Sequence, residues 1–524
     1  MNDMNGDADP EKLSAGTIMD LASASPHLGR SRILVLGPYA SRVNFYRQQN
    51  RALNLVWALS KQDVTPCDVA VIGMGLAGMT AAIALDGINC SVTLYDIETV
   101  IMPRQYDVTH RVAHPTVNFW PEMPLAPCTD FPFLNWVAAD CSTIASDLLD
   151  EWKAAKGQFR DRTGKRVTSL QATEDKVAVY TKDGLDREFS YVILATGFLS
   201  DQTVTPIPSV GYWDGLTLKP PGKTEPPVFV SGAGDGGLLE ALRLSHLQFE
   251  SGRLVIAASQ LLQRGSAGHR IKEGEEAIFK TARSRALQSR KPIDYKTDFD
   301  DDEAVTARHN LYADVLKTSV SGKFLETLDG SLNPKKKCVY LICDKAHPYL
   351  TNAAPIHKLM LAHAIMQGRV VHLRARVDKT DGTLKPAPSN VVFSKARAIL
   401  RHGAGFNVQL LKGDERTELR TRQGKALDKF DVKVWKSEVF STAHPKEGDD
   451  LPRFVRSHAN RAARLTQIQA GINVGYWEGD NAFYYSVVGD RADLNDRPVP
   501  RHVFGIPLHE RPLGKTGKTG DTLV

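Results

Sequence analysis

Residues 67–96 read CDVAVIGMGLAGMTAAIALDGINCSVTLYD, and this stretch decides the first part of the fold. An apolar run leads into Gly73, Gly75 and Gly78, and a helical pattern and a second apolar run ending in Asp96 follow. In a strand–turn–helix unit, the first glycine permits the tight turn, the second lets the backbone approach a pyrophosphate, and the third lets helix and strand pack. The helix N-terminus attracts the phosphates, and Asp96 can accept a ribose hydroxyl. The sequence therefore predicts a dinucleotide site.

Short alternating apolar segments follow between residues 166 and 197. RVTSLQA, KVAVYTK and EFSYVILATG are separated by turn residues, which predicts a three-stranded meander whose last strand is buried. The third segment ends in the turn formed by Ala195, Thr196 and Gly197.

The glycine fingerprint, the meander and the Ala-Thr-Gly turn together resemble the FAD domain of two-dinucleotide-binding flavoprotein oxidoreductases. The resemblance covers residues 68–244 and is nearest in outline to flavin monooxygenases and N-hydroxylases. It implies an α/β fold, FAD as cofactor, and a position near the flavin for Ala195, Thr196 and Gly197. The fingerprint by itself does not separate FAD from NAD.

A second glycine turn occurs in VFVSGAGDGGLLEALRL, residues 228–244, where Gly232, Gly234 and Gly237 repeat the spacing. The resemblance implies a second Rossmann-like nucleotide domain here, for NADPH or NADH. An alternative is that the turn closes the FAD site, with Asp235 contacting the flavin nucleotide. A third is a turn without a ligand. A carboxylate inside the turn is awkward beside a pyrophosphate, because like charges repel.

The expected second strand of this nucleotide domain is RLVIAAS, residues 253–259, which ends without an acid. Arg264 and Arg270 follow it and could meet a 2′-phosphate, which favours NADPH.

The polar and aromatic stretch HRVAHPTVNFWPE, residues 110–122, contains the candidate catalytic residues. Arg111 could neutralise a phosphate or flavin charge, and His114 could move protons near neutral pH. The alternative is a well-hydrogen-bonded loop. No certain catalytic acid or base emerges from the sequence.

Composition narrows the class of protein. The 524 residues carry a net charge of +6 from 66 basic and 60 acidic side chains, which is typical of a solvated surface and does not indicate nucleic-acid binding. The sequence predicts no membrane span and no metal site. Six cysteines are too few for a disulfide scaffold, so a reducing cytoplasm is expected. Cys338 and Cys343 lie on a strand pattern that points them to opposite faces, which argues against a redox disulfide there.

These patterns predict four regions: an N-terminal extension (1–62), an FAD-binding domain (63–204), an NAD(P)-binding-like domain (205–410) with a helical insertion (260–337), and a C-terminal region (411–524). The favoured function is an FAD-dependent oxidoreductase, reduced by NAD(P)H, that passes electrons to a small organic substrate or oxygen. One alternative is an amine-oxidase-like enzyme without nicotinamide. Another is a non-catalytic nucleotide-binding sensor or assembly subunit. The insertion is the expected surface for a protein partner or a second copy of the chain.

Overall fold

A computed structural model describes most of residues 14–426. Longer gaps fall at 26–29, 37–43, 63–65, 156–158, 289–298 and 388–390, and shorter gaps at 124, 127–128, 130, 202–203, 205–206, 208–209, 216–217, 248, 250–252, 263–264 and 408. Beyond residue 426 the described residues are 433–435, 439, 473–479, 482–488, 502–503 and 506–507.

The helices in this part of the chain are α1 (Ala15–Ala22), α2 (Phe45–Ser60), α3 (Leu76–Gly87), α4 (Cys141–Ala155), α5 (Asp235–Ser245), α6 (Arg253–Leu262), α7 (Ala267–Gln288), α8 (Asp302–Thr318), α9 (Gly322–Ser331), α10 (Pro355–Met366) and α11 (Gly413–Ala426). Short 3-10 helices lie at Arg30–Arg32 and Lys395–Arg397.

The strands are β1 (Ile33–Val35), β2 (Asp68–Ile72), β3 (Ser91–Asp96), β4 (Val112–Ala113), β5 (Ala139–Asp140), β6 (Arg160–Thr163), β7 (Val167–Ala172), β8 (Val177–Thr181), β9 (Gly184–Phe189), β10 (Tyr191–Leu194), β11 (Phe198–Asp201), β12 (Val228–Ser231), β13 (Val339–Cys343), β14 (Val370–Arg374), β15 (Arg376–Val377), β16 (Leu384–Lys385), β17 (Ala398–Leu400), β18 (Ala404–Phe406), β19 (Asn473–Gly479), β20 (Ala482–Val488), β21 (His502–Val503) and β22 (Ile506–Pro507).

The first sheet is parallel and has the strand order β1-β10-β2-β3-β6. Its central strands are continuous apolar runs because both faces are covered, one by helices and the other mainly by the strands β7, β8 and β9. The carboxyl ends of β2 and β10 carry the first glycine turn and the Ala-Thr-Gly turn, so the sheet brings these two segments to one edge.

The meander consists of β7, β8 and β9, and its strands pair antiparallel as expected. EFSYVILATG is not one strand, however. The chain leaves the meander at Phe189, and Tyr191–Leu194 forms β10 in the parallel sheet. The prediction of a buried last meander strand was therefore wrong, because the buried apolar residues belong to the neighbouring sheet.

A second parallel sheet has the order β14-β13-β12-β17 and carries the second glycine turn at the end of β12. The predicted strand RLVIAAS is wrong, since residues 253–262 form α6. The strands next to β12 are β13 and β17, and along the chain α6 to α9 lie between the turn helix α5 and β13. The α/β fold with two nucleotide-type sheets and a helical insertion is confirmed.

The predicted N-terminal extension contributes to the first sheet, because β1 pairs with β10. Helix α2 packs against α3, and polar side chains such as Gln49 and Asn50 are buried. Gln49 accepts a hydrogen bond from the Trp136 ring nitrogen at 2.8 Å, and Asn50 accepts one from Trp435 at 2.7 Å. The four domain boundaries and the cytoplasmic location stay predictions. Among the described residues no helix is long and apolar enough to cross a membrane.

Candidate functional site

The first glycine turn joins β2 to α3 in the conformation expected from its sequence. Gly73 has φ 114°, a value that favours glycine, and its amide donates to the Tyr95 carbonyl of β3 at 2.7 Å. Gly75 is the N-cap of α3. Because glycine has no side chain, the first amide groups of the helix receive no hydrogen bond from an N-cap side chain.

The space around the glycines distinguishes their roles. A Cβ on Gly73 would lie 2.3 Å from the Ala195 carbonyl oxygen, and one on Gly78 would lie 1.8 Å from the Gly73 carbonyl oxygen. At both positions a side chain would collide with a neighbouring backbone carbonyl, so glycine is required. A Cβ on Gly75 would meet nothing within 4 Å. Gly75 therefore borders open space at a helix N-terminus, which fits a pyrophosphate.

Asp96 lies at the end of β3, beside this turn. Its carboxylate accepts hydrogen bonds from the backbone amides of Met74, at 2.5 Å, and Glu98, at 2.8 Å. The acid thus holds the turn in place and lines the same cavity as Gly75. A carboxylate has about four acceptor positions, so Asp96 can still accept a ribose hydroxyl.

The Ala-Thr-Gly turn lies directly beside the first glycine turn. Ala195 is buried, and the Thr196 hydroxyl donates to the Asn407 carbonyl at 2.5 Å. Gly197 has φ 68°, so the chain turns sharply there before entering β11. Ala195, Thr196 and Gly197 all line the cavity.

The second glycine turn repeats the geometry of the first on the other sheet. Gly232 has φ 120°, Gly234 is the N-cap of α5, and a Cβ on Gly237 would lie 1.8 Å from the Gly232 carbonyl oxygen. The turn belongs to a separate parallel sheet with its own crossover strands. This arrangement favours a second nucleotide site over closure of the FAD site.

Asp235 resolves the apparent conflict between an acid and a phosphate-binding turn. Its carboxylate accepts from the Ala354 amide at the N-terminus of α10, at 3.0 Å, and contacts Nδ1 of His357 at 2.7 Å. The residue therefore caps a neighbouring helix and orients an imidazole. Its carboxylate is hydrogen-bonded on that side, and both Asp235 and His357 line the cavity.

Arg111 is buried and forms an ion pair with Glu240, and its guanidinium lies over the Tyr212 ring at 4.1 Å from the centroid. Glu240 also contacts Arg243 and Arg401. Burial alone would raise the pKa of Glu240, but the three arginines lower it to about 2. Three arginines around one carboxylate leave an excess of positive charge, so the expected contact of Arg111 with a phosphate or a flavin charge stays a prediction.

His114 is buried, and burial together with the nearby His357 lowers its pKa to about 3. The ring is therefore neutral at pH 7. Its Nδ1 accepts from the Thr116 amide at 3.3 Å. Proton exchange near neutral pH, which the sequence suggested for His114, is not supported by this environment.

The sequence reading missed the residues that follow β13, because it placed the second strand at 253–259. Asp344 follows β13 directly, at the position where Rossmann folds place an acid near the adenosine ribose. Arg376 and Lys379 lie in and after β15, and all three residues line the cavity. Arg264 lies outside the described residues, and Arg270 pairs with Asp314 on α8.

A continuous cavity of about 2840 Å³ is lined by residues of both glycine turns, including Gly73, Gly75, Gly232 and Gly234. Ligand pockets commonly measure roughly 300–1,000 Å³, so this cavity has room for more than one ligand.

Comparison with known proteins agrees with this geometry. Residues 67–283 match the family model described as pyridine nucleotide-disulphide oxidoreductase, a stretch that includes both glycine turns and the meander. The matched stretch covers less than half of the chain. It supports an oxidoreductase that uses FAD and NAD(P)H as cofactors. No curated protein matches the sequence.

The solved structures that match this chain share little sequence with it, and their TM-scores are low. A bacillithiol disulfide reductase from Staphylococcus aureus is 11% identical, with a TM-score of 0.36 over 66% of this chain and 79% of that one. A steroid monooxygenase bound to NADP is 14% identical, with a TM-score of 0.31 over 67% and 73%. Thioredoxin reductase from T. acidophilum is 22% identical, with a TM-score of 0.20 over 34% and 52%.

Proposed function

We propose that this oxidoreductase takes electrons from NAD(P)H and passes them through FAD to a small organic substrate or to oxygen. The observation that carries the proposal is the continuous cavity between the two glycine turns. Bound FAD and NAD(P)H supply the electron chemistry. The residues of the chain bind and orient the two nucleotides, with the Gly75 turn holding FAD and the Gly234 turn holding the nicotinamide nucleotide.

The thiols that line the cavity support a monooxygenase-like reaction over disulfide reduction. Cys141 and Cys343 are the cavity-lining cysteines of the described residues, and they lie on different elements. Burial raises the pKa of Cys141 to about 12 and that of Cys343 to about 11. A disulfide reductase needs a reactive thiolate near the flavin, and neither residue provides one at pH 7.

The residues after β13 favour NADPH as the reductant. Arg376 and Lys379 bring two positive charges to the wall of the cavity that Asp344 also lines. A 2′-phosphate would be attracted by the two cations, whereas a free ribose hydroxyl needs only the acid. We therefore place the adenosine end of the nicotinamide nucleotide here.

The helical insertion forms the wall that we assign to the substrate. Ile271 and Phe279 of α7 give the cavity wall apolar surface. The same helix also lines it with charged side chains of both signs, namely Lys272, Glu275, Glu276 and Arg283. Glu275 fixes this helix in place, because it pairs with Arg308 at 2.9 Å and with Lys358 at 2.5 Å. The same insertion offers its outer face to a protein partner or a second copy of the chain.

An anaerobic titration tests the proposed function. We expect NADPH to bleach the flavin absorbance of the purified holoprotein, and oxygen to restore it. Arg376→Ser should weaken NADPH binding about tenfold or more and leave NADH binding unchanged, since a charge-assisted hydrogen bond contributes about 1.5–3 kcal/mol. Asp344→Asn serves as the matched variant and should affect NADH more than NADPH. A flavin that neither nucleotide reduces would contradict the proposal.

A further inference from the structure

Two cysteines that lie 23 positions apart in the sequence meet at the amino-terminal end of the first sheet. Cys67 precedes β2 and Cys90 precedes β3, and the next residues, Asp68 and Ser91, are paired in the parallel register. The Ser91 amide donates to the Cys67 carbonyl at 3.0 Å, which extends the pairing to the cysteines. Their sulfur atoms are 3.5 Å apart.

This arrangement suits a disulfide bond without a change in the backbone. Neighbouring strands lie about 4.8 Å apart, which is within the range of Cα separations of roughly 4.4–6.8 Å found across disulfides. The two sulfurs need to approach by about 1.5 Å to reach bonding distance. Among the described cysteines, Cys67 and Cys90 are the two whose sulfur atoms contact each other.

The environment of the two cysteines also favours oxidation of Cys90. The hydrogen bond from Cys67 lowers the pKa of the Cys90 thiol, because it stabilises the thiolate. The hydrogen bond to Cys90 and burial raise the pKa of Cys67. Cys90 is 5% exposed and Cys67 is half-buried, so a small oxidant can approach from the Cys67 side.

We propose that Cys67 and Cys90 form an oxidation site that closes to an intramolecular disulfide, with hydrogen peroxide as the oxidant. The Cys90 thiolate attacks one peroxide oxygen, the O–O bond breaks, and the sulfenic acid of Cys90 and one water form after proton uptake. The Cys67 sulfur then attacks the Cys90 sulfur, and the hydroxyl leaves with the Cys67 proton as a second water. In sum, two thiols are oxidised by two electrons, and one peroxide is reduced to two waters.

The disulfide is separate from the flavin chemistry. The site lies at the opposite end of β2 from Gly73, about 16–20 Å away along the strand, too far for a thiolate to touch a flavin held at the turn. The bond would close a loop that contains β2, the first glycine turn and α3. It would thus fasten both ends of the unit that carries Gly75. This inference stands independently of the proposed substrate reaction.

Thiol counting and peptide mapping test the site on the full-length holoprotein. After peroxide treatment and denaturation, we expect the six cysteines to yield four alkylatable thiols, and a thiol reductant to restore six. Cys67 and Cys90 fall on one tryptic peptide, residues 62–104, because no lysine or arginine lies between Lys61 and Arg104. In oxidised wild-type protein this peptide should be lighter by two hydrogens.

Variants separate the proposed bond from general oxidation. Cys67→Ser and Cys90→Ser should each abolish the loss of two thiols, whereas Cys338→Ser, the control in the buried core, should still lose two. Loss of two thiols in either of the first two variants would overturn the proposal. So would a wild-type peptide 62–104 that gains oxygen atoms instead of losing two hydrogens, and this result does not depend on how well a variant folds.

Discussion

Replacing Gly75 by alanine separates flavin binding from folding. The new methyl group would meet no protein atom within 4 Å, and the φ of −77° at this position suits alanine. The apoprotein should therefore fold with a stability within about 1 kcal/mol of wild type, since alanine is a poorer N-cap residue than glycine but causes no collision here. The methyl group fills the space through which phosphate oxygens approach the first amides of α3.

Losing one hydrogen bond to a charged phosphate costs about 1.5–3 kcal/mol, which corresponds to a dissociation constant for FAD that rises about 10- to 100-fold. Quenching of FAD fluorescence during titration of the apoprotein measures this constant, and thermal unfolding of the apoprotein measures folding.

Two matched variants make the result interpretable. Gly78→Ala places its methyl 1.8 Å from the Gly73 carbonyl oxygen, so it should destabilise the apoprotein itself by about 1–3 kcal/mol. Gly322→Ala, at the exposed start of α9, also meets nothing within 4 Å and should leave FAD affinity unchanged. If Gly75→Ala binds FAD as tightly as Gly322→Ala does, the pyrophosphate is not held at this turn and the reasoning is refuted.

Three further predictions concern the second glycine turn, the buried carboxylate of Glu240 and the buried imidazole of His114. Gly234→Ala should raise the KM for NAD(P)H about tenfold through loss of one such hydrogen bond, with unchanged FAD content, and equal loss of FAD would indicate that the turn closes the flavin site. Glu240→Gln should cost about 3–5 kcal/mol in urea unfolding at pH 7, because buried arginines lose their counter-ion. Since the pKa of Glu240 falls from 4.5 to about 2 on folding, the advantage of wild type is complete above about pH 4.5 and is lost as the pH falls towards 2. The pKa of His114 falls from 6.5 to about 3 on folding, so the unfolded chain binds a proton at a higher pH than the folded protein does. The free energy of unfolding therefore decreases as the pH falls from 6.5 to 3, and His114→Gln should make this decrease smaller. An unchanged pH dependence would contradict a buried, neutral His114.

The first glycine turn could be predicted because its signal is local. Gly73, Gly75, Gly78 and Asp96 lie within 24 residues, and each one satisfies a requirement of the same turn. The partner of that turn, the Ala-Thr-Gly segment, was located through the resemblance to a family. The apolar pattern alone did not show that Tyr191–Leu194 leaves the meander, because a buried strand has the same run of apolar residues in either sheet.

The second nucleotide domain was predicted less well because its evidence is spread along the chain. Residues 253–259 contain a short run of apolar and β-branched side chains, which suits a strand as well as a helix. In the structure Leu254, Ala258 and Leu262 recur every four residues and form the buried face of α6. In the structure β12 pairs with β13, which begins more than 100 residues later in the chain, and no local sequence pattern predicts that pairing. The contact of Cys67 with Cys90 was missed for a different reason: both residues flank strands of the predicted unit, but the pattern of each strand does not fix its register against the other.

Because β1 lies far before its partner β10 in the sequence, the first parallel sheet can be completed only late in synthesis. Ile33 pairs with Val192, so β1 must stay unpaired until about 160 more residues have been made. Such a long-range pairing closes slowly, and the apolar edge of β10 stays open until β1 docks on it. A fragment cut to the matched stretch, residues 67–283, would lack both β1 and α2. We expect that fragment to expose the edge of β10 and to aggregate, whereas a chain that begins before Ile33 carries its own cover for that edge.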